Sequence, residues 1–317
     1  MKSSNIGGQA VLEGIMMKNK DKYAVAVRKP NGEIEVGVHK YKSVVPGKSV
    51  QKIPFVRGIF NFVDSLVLGM KSLNFSASFL EDEEDNDSTK KTLTEEEQLK
   101  KDKKDKALMS FTMVLSVILA IGLFMVLPYF LSSLLKGYIE SRTTLTVIEG
   151  IIRFLIFILY IVLVSRMEDI QRTFMYHGAE HKCINCIEHG MELNVKNVQK
   201  SSKQHKRCGT SFLFFVMLVS LFFCFFITTS SPVLRVVIRI ALFPAIAGVS
   251  YEIIRLAGNS DNPLVNMLSK PGLMVQNLTT KEPDDSMVEV AIAAVEAVFD
   301  WREYLKENFD YDYEKED

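Results

Sequence analysis

The sequence predicts a mainly α-helical membrane protein, a bundle of four transmembrane helices with a small cytoplasmic N-terminal region containing a β-hairpin. Three observations predict it. The apolar residues of this 317-residue chain collect in four unbroken blocks instead of spreading evenly. Within the first 53 residues, two short segments, Tyr23–Arg28 and Glu33–Lys40, alternate apolar and polar side chains around a turn signal. Lys and Arg are concentrated between the second and third blocks, as in a cytoplasmic loop.

In chain order, residues 1–53 form the β-containing region. Tyr23–Arg28 and Glu33–Lys40 alternate around Pro30-Asn31-Gly32, the pattern of a hairpin. Ahead of them, the run from Gly7 to Gly14 (GGQAVLEG) is glycine-rich but lacks the lysine and spacing of a phosphate loop, so it reads as a tight backbone turn, with a direct role at a site as the alternative. Residues 54–80 are apolar but studded with Arg57, Asp64 and Lys71. They predict an amphipathic helix lying on the membrane or packed on the bundle, not a fifth span. Residues 81–106 are acidic, then basic, with almost nothing apolar to bury, which predicts a charged disordered linker.

The membrane domain is expected over 107–254. Its blocks are Ala107–Leu135, Thr144–Ser165, Ser211–Ile227 and Val233–Ile254, helical because lipid cannot satisfy free backbone groups. The first exceeds the length a bilayer requires and should tilt, or kink at Pro128. Eight basic residues between Arg166 and Arg207 predict that the 166–210 loop and both termini face the cytoplasm. Residues 255–317 are expected to form a loop, including 271–283, and then an amphipathic helix from Asp284 or Asp285 to about Trp301.

Composition excludes some partners. Lys+Arg and Asp+Glu balance at 38 each, and no basic patch is interleaved with aromatics, which argues against nucleic acid and leaves the lipid bilayer and other membrane proteins. No long apolar run opens the chain, so no cleavable signal is expected and the cysteines should be reduced.

The chemistry gathers in one window. Four of the five histidines and three of the four cysteines lie between residues 177 and 208, while His39 falls on the hairpin and reads as a surface residue. His177-Gly178-Ala179-Glu180-His181 has the form H-x-x-E-H, the reverse of the zinc-protease signature. Residues four apart share a helix face, so His177 and His181 can reach one divalent metal, most plausibly zinc. Glu180 would then stand beside the open position as general base. A further ligand is needed, and Cys186, Glu188, His205, Cys208 and Glu252 are candidates. Cys183-Ile184-Asn185-Cys186 could instead form a zinc knuckle or a redox pair, though no second C-x-x-C accompanies it. Within the blocks, Glu149 faces Arg153, Arg235 and Arg239. One carboxylate cannot neutralise three arginines, so some of these snorkel to headgroups or the cluster holds an anion.

Six segments together resemble the YqhQ-like family of uncharacterised bacterial membrane proteins, described as predicted metal-dependent enzymes. They are the Gly7–Met17 run, Pro54-Phe55-Val56-Arg57-Gly58, Tyr176–Lys182, His205-Lys206-Arg207-Cys208-Gly209-Thr210-Ser211, Tyr251-Glu252 and Gln276–Pro283. The resemblance covers nearly the whole chain. It implies a metal site with His177, His181, His205 and Cys208 as ligands. Cys183 and His189 depart from the family pattern, while Cys186 and Glu188 match it. The expected function is a metal-dependent hydrolase of a membrane-associated substrate. The rival readings are a non-catalytic scaffold or regulatory factor with a structural metal clip and, behind it, a transporter, which four spans without a visible internal repeat disfavour.

Overall fold

A computed structural model of the protein describes residues 2–44, 53–84, 95–227, 229, 231–260 and 262–311. Two units emerge. The first combines Met1–Glu81, Val162–Val216 and Pro244–Asp317; the second combines Asp82–Ile161 and Met217–Phe243.

The first unit opens with four strands, β1 (Gly7–Val11), β2 (Gly14–Asn19), β3 (Lys22–Arg28) and β4 (Ile34–Lys40), in an antiparallel sheet of that order. The β3–β4 hairpin pairs Arg28 with Ile34 across the expected turn, where Gly32 takes a positive φ of 87°. The glycine-rich run is not merely a turn. It is strand β1, pairing with β2 through a Leu12-Glu13 corner in which Glu13 has φ 47°. Glycine is required at position 14, where a Cβ would strike the Ala26 carbonyl oxygen on β3.

Strands β2 and β3 read as almost continuous apolar runs because both faces of the sheet are covered. Ile15, Met17 and Ala26 on one face join helices α5 (Glu168–Glu188) and α10 (Asp285–Glu296) in one core, which includes Tyr176, Ile184, Ile187, Met287, Val288 and Ala291. Val11, Met16, Val25 and Val27 on the other face meet Leu68 of α1 (Val56–Glu84), with Phe75 and Phe79 of the same helix beside them. The apolar stripe of α1 thus covers the sheet. Around Asp64 the helix also receives hydrogen bonds from Tyr41 Oη (2.7 Å) and the Val44 N–H (2.8 Å).

In the second unit, α2 (Glu95–Ile121) runs through a π-helical turn (Gly122–Val126) into α3 (Leu127–Ser133) and a 3₁₀ turn (Leu134–Gly137). The wide turn sits where the sequence calls for a break. Pro128 has no N–H to donate backwards, and the Leu127 N–H reaches Gly122 O instead. Of the linker expected over 81–106, residues 85–94 lie outside the described residues. Residues 81–84 and 95–106 continue α1 and α2 as helix, in line with a composition rich in the strong helix formers Glu, Gln and Lys.

Three stretches of helix are long and apolar enough to cross a membrane: Ser110–Gly137, Arg142–Val164 and Val233–Gly258. The last two belong to α4 (Arg142–Val164) and α8 (Pro232–Gly258). The fourth expected span is helix α7 (Gly209–Cys224), with 16 residues. At 1.5 Å per residue it measures about 24 Å, short of the roughly 30 Å hydrocarbon core. Among the described residues, three helices meet the length.

Within 255–317 the structure departs from the expected loop. Residues 271–279 belong to α9 (Pro263–Thr279), whose N-cap Asn262 accepts from the Leu264 N–H. Pro271-Gly272 reads as a breaker, yet the helix continues and Gly272 lies so close to Ser211 that a Cβ would sit 3.1 Å from its side chain. Asp284 caps α10, as expected, but that helix stops at Glu296. Trp301 begins α11 (Trp301–Phe309), capped by Asp300.

Candidate metal centre

Helix α5 is the frame of the site, and every residue from Gly178 to Glu188 is buried. Its polar side chains hold the following segment by its backbone. Lys182 Nζ donates to the carbonyls of Gln199 (2.8 Å) and Ser201 (3.0 Å), and Asn185 Nδ2 to those of Ser202 (2.7 Å) and Gln204 (2.9 Å). Helix α6 (Val195–Lys200) and residues 201–208 are thereby laid along α5. From the other side comes the end of α9. The Lys281 N–H bonds to Phe174 O (2.9 Å), and the Lys281 carbonyl oxygen rests directly on Gly178, where any Cβ would collide with it. Glycine inside the motif, unfavourable for a helix alone, is the condition for this close approach.

These two segments fix the imidazoles. His177 Nδ1 lies 2.9 Å from the Thr279 carbonyl and His181 Nδ1 2.6 Å from the Lys203 carbonyl. A carbonyl can only accept, so in both rings Nδ1 donates and Nε2 is the nitrogen left free of these backbone contacts. The rings stand 4.4 Å apart between centroids. Cys208 Sγ is 3.3 Å from His177 Nε2 and also accepts from the Thr210 N–H (3.3 Å). Ligand atoms of His177, His181 and Cys208 all lie within 4.8 Å of one another. Two imidazoles oriented through backbone carbonyls, together with a cysteine sulfur, are the kinds of donor that zinc takes.

A cavity of about 90 Å³ adjoins this group, lined also by Gly7, Gly8, Glu180 and His205. Glu180 is 5% exposed and takes the Gly8 N–H on Oε1 (3.1 Å), which draws the β1 glycines into the site. A Cβ at Gly8 would come within 2.8 Å of Glu180 Cγ, the Met16 carbonyl oxygen and Met17 Sδ.

The other candidate ligands are engaged elsewhere. The His205 ring tilts against His181 at 5.6 Å, but its Nε2 faces Glu188 Oε2 at 3.6 Å. Gln276 clamps the His205 backbone, accepting its N–H (2.9 Å) and donating to its carbonyl (2.8 Å). Glu188, fully buried, accepts the Ser4 N–H (2.7 Å) and hydroxyl (2.8 Å) and pairs with Arg207 (2.5 Å). Burial alone would raise its carboxyl. The His205 ring, the Arg207 charge and hydrogen bond and the Ser4 N–H outweigh that and hold it at about 2. Glu252 is gripped by Arg57 (2.7 and 2.5 Å) and by the Phe55 N–H (3.1 Å). Cys183 and Cys186 are buried free thiols. Burial pushes the Cys183 thiol up and that of Cys186 to about 12; both sit in the apolar core, and Cys186 Sγ donates to the Glu192 carbonyl (3.3 Å). Reading the sequence alone missed Gln276, Thr279 and Gly8. Their signal was already visible in the Gln276–Pro283 and Gly7–Met17 segments.

Apolar helices long enough to cross a bilayer fit a membrane protein. The chain belongs to the family described as "Protein of unknown function (DUF1385)", whose model matches residues 53–301. It is 38% identical over 289 residues to "Uncharacterized protein YqhQ" of Bacillus subtilis (strain 168), covering 90% of this chain and 89% of that one. No solved structure matches.

Proposed function

We propose that the protein is a membrane-embedded, metal-dependent hydrolase whose zinc-class ion is held by His177, His181 and Cys208 at the cytoplasmic face. The carrying observation is the convergence of these three donors beside Glu180, both histidines having Nδ1 committed to backbone carbonyls. Three protein ligands leave a coordination position open, the mark of a catalytic site. A zinc ion there would bring the pKa of a coordinated water towards neutrality. Glu180, oriented by the Gly8 N–H on the wall of the same cavity, is the group that takes and returns the proton. The Glu188–Arg207–Ser4 network and Gln276 keep residues 205–208, and with them Cys208, in position.

We place four crossings in this chain. The β1–β2 hairpin and α10 both pack on α5, so the N-terminal sheet, α5 and α10 share one side of the bilayer. The helices between them must then cross and return in pairs, which makes the short α7 the partner of α8. The basic residues between Arg166 and Arg207 make that side cytoplasmic. The substrate is a membrane protein or lipid-linked group approached from there.

A structural clip is the second reading, because the same three residues tie together α5, residues 203–208 and the end of α9. Metal analysis of the purified full chain tests the site. Wild type and Glu180→Gln should each carry about one transition-metal ion, while His177→Ala and Cys208→Ser lose it. No metal in wild type, or metal loss with Cys186→Ser in place of Cys208→Ser, defeats the assignment. Cobalt-loaded protein then separates the two readings. A visible spectrum that shifts on adding azide reveals an exchangeable position, and an unmoved one assigns the clip.

A further inference from the structure

We propose that the buried arginine cluster of the second unit is a binding site for a phosphate group, carried by a phospholipid headgroup or by free phosphate. Glu149 is 3% exposed and stands at its centre. Its Oε1 accepts from Arg153 Nη2 (2.9 Å) and lies 2.5 Å from Arg239 Nη1, while Oε2 is 3.9 Å from Arg235 Nη1. One carboxylate therefore faces three guanidiniums. Two positive charges are left over among apolar helices, where an uncompensated charge is expensive.

Escape to water does not remove them. Arg239 and Arg153 are 4% and 8% exposed, and Arg239 lies one helical turn deeper than Arg235. Arg153 spends Nη1 on Ser220 Oγ (3.0 Å), and Arg235 spends Nη2 on the Thr229 carbonyl (3.2 Å) while stacking on Tyr129 (4.9 Å). Arg239 Nη1 is taken up by Glu149, while the buried Nε atoms of all three arginines have no hydrogen-bond partner. A built polar cluster with that many idle donors calls for an acceptor.

The space for one adjoins them. A cavity of about 270 Å³ is walled by Glu149, Arg235 and Tyr129 and rimmed by Lys136, Arg142 and Glu140. Three cations and two carboxylates line it, and one of those carboxylates, Glu149, is already paired with Arg153 and Arg239, so the region carries an excess of positive charge. It opens at the N-terminal ends of α4 and α8, where apolar helix gives way to polar residues at headgroup level. A phosphate offers several oxygens of high charge density, and guanidinium forks bind such a group in pairs of hydrogen bonds.

Native mass spectrometry of the full chain in mild detergent, together with thermal unfolding in nanodiscs, tests this. Wild type should retain one phospholipid per chain, or be stabilised by added inorganic phosphate in nanodiscs of a phosphate-free glycolipid. Stabilisation by phosphatidylglycerol alone identifies the headgroup as the source; stabilisation by inorganic phosphate identifies a soluble anion. Either result upholds the site, provided that Arg239→Gln lowers retention or apparent affinity by about tenfold or more. If Arg239→Gln fails to fold, Arg235→Gln and the exposed Lys136→Gln carry the same test with smaller losses. Absence of retained phospholipid combined with no response to phosphate or phosphatidylglycerol overturns the proposal. So does retention that is equal in wild type and all three variants.

Discussion

Replacing Gly178 by alanine sets two physical effects against each other with opposite signs. Propensity alone favours alanine inside a helix by about 0.8–1 kcal/mol. Against that, the new methyl would be driven into the Lys281 carbonyl oxygen and would also meet the Pro283 ring. Overpacking of this kind costs about 1–3 kcal/mol. Moving the 279–283 segment aside would break the Lys281 N–H bond to Phe174 O, a further loss of about 1 kcal/mol. The balance is a destabilisation of about 1–3 kcal/mol. Thr279, whose carbonyl orients His177, lies on the displaced segment, so metal affinity should fall as well. Denaturant unfolding of wild type and Gly178→Ala in detergent, paired with metal content, measures both. An alanine variant as stable as wild type, or more so, would refute the close packing on which the motif's geometry rests.

Other expectations follow from the same unit. The Glu188 carboxyl is held at about 2 when folded, against roughly 4.3 when unfolded, so its contribution is complete above the unfolded value and disappears as pH falls from about 4.5 towards 2. That amounts to about 3 kcal/mol between pH 6 and pH 2, a loss that Glu188→Gln should not show; parallel pH profiles for the two proteins would contradict it. Cys186, pushed to about 12, has roughly one thiolate in ten thousand molecules at pH 8, so iodoacetamide should leave it unmodified in the native protein and label it on unfolding. Rapid native labelling, located by peptide mapping, would be the contrary result. Gly8→Ala should destabilise by about 1–3 kcal/mol and disturb Glu180, whereas Gly7→Ala, which meets nothing within 4 Å, should be near neutral. Equal effects in an unfolding assay would separate β1 from the site.

Patterns of local period were legible in the sequence. The β3–β4 hairpin declared itself through alternation and Pro30-Asn31-Gly32, and the long apolar helices through their composition. The H-x-x-E-H spacing correctly put two imidazoles on one helix face. What stayed hidden depends on contacts distant in sequence. β1 looked like a turn because its glycines serve α5 and Glu180, about 170 residues away, and not a bend of their own. Pro271-Gly272 looked like a helix end because nothing local shows Gly272 resting on Ser211. Likewise, no spacing rule reveals that His205 turns its Nε2 to Glu188 while Cys208 faces His177.

Helix α10 closes over strands β2 and β3, yet it is synthesised about 250 residues after them. At ribosomal speeds of about 5–20 residues per second, the sheet waits roughly 10–50 s for its cover. During that interval Ile15, Met17 and Ala26 lack the part of their cover that α10 supplies. The N-terminal sheet can close only after Asp285 has been made, by which point all the long apolar helices have been synthesised. A chain cut short before Asp285 would reach the membrane with its first-made domain still unshielded, a natural target for holdase chaperones and quality-control proteases.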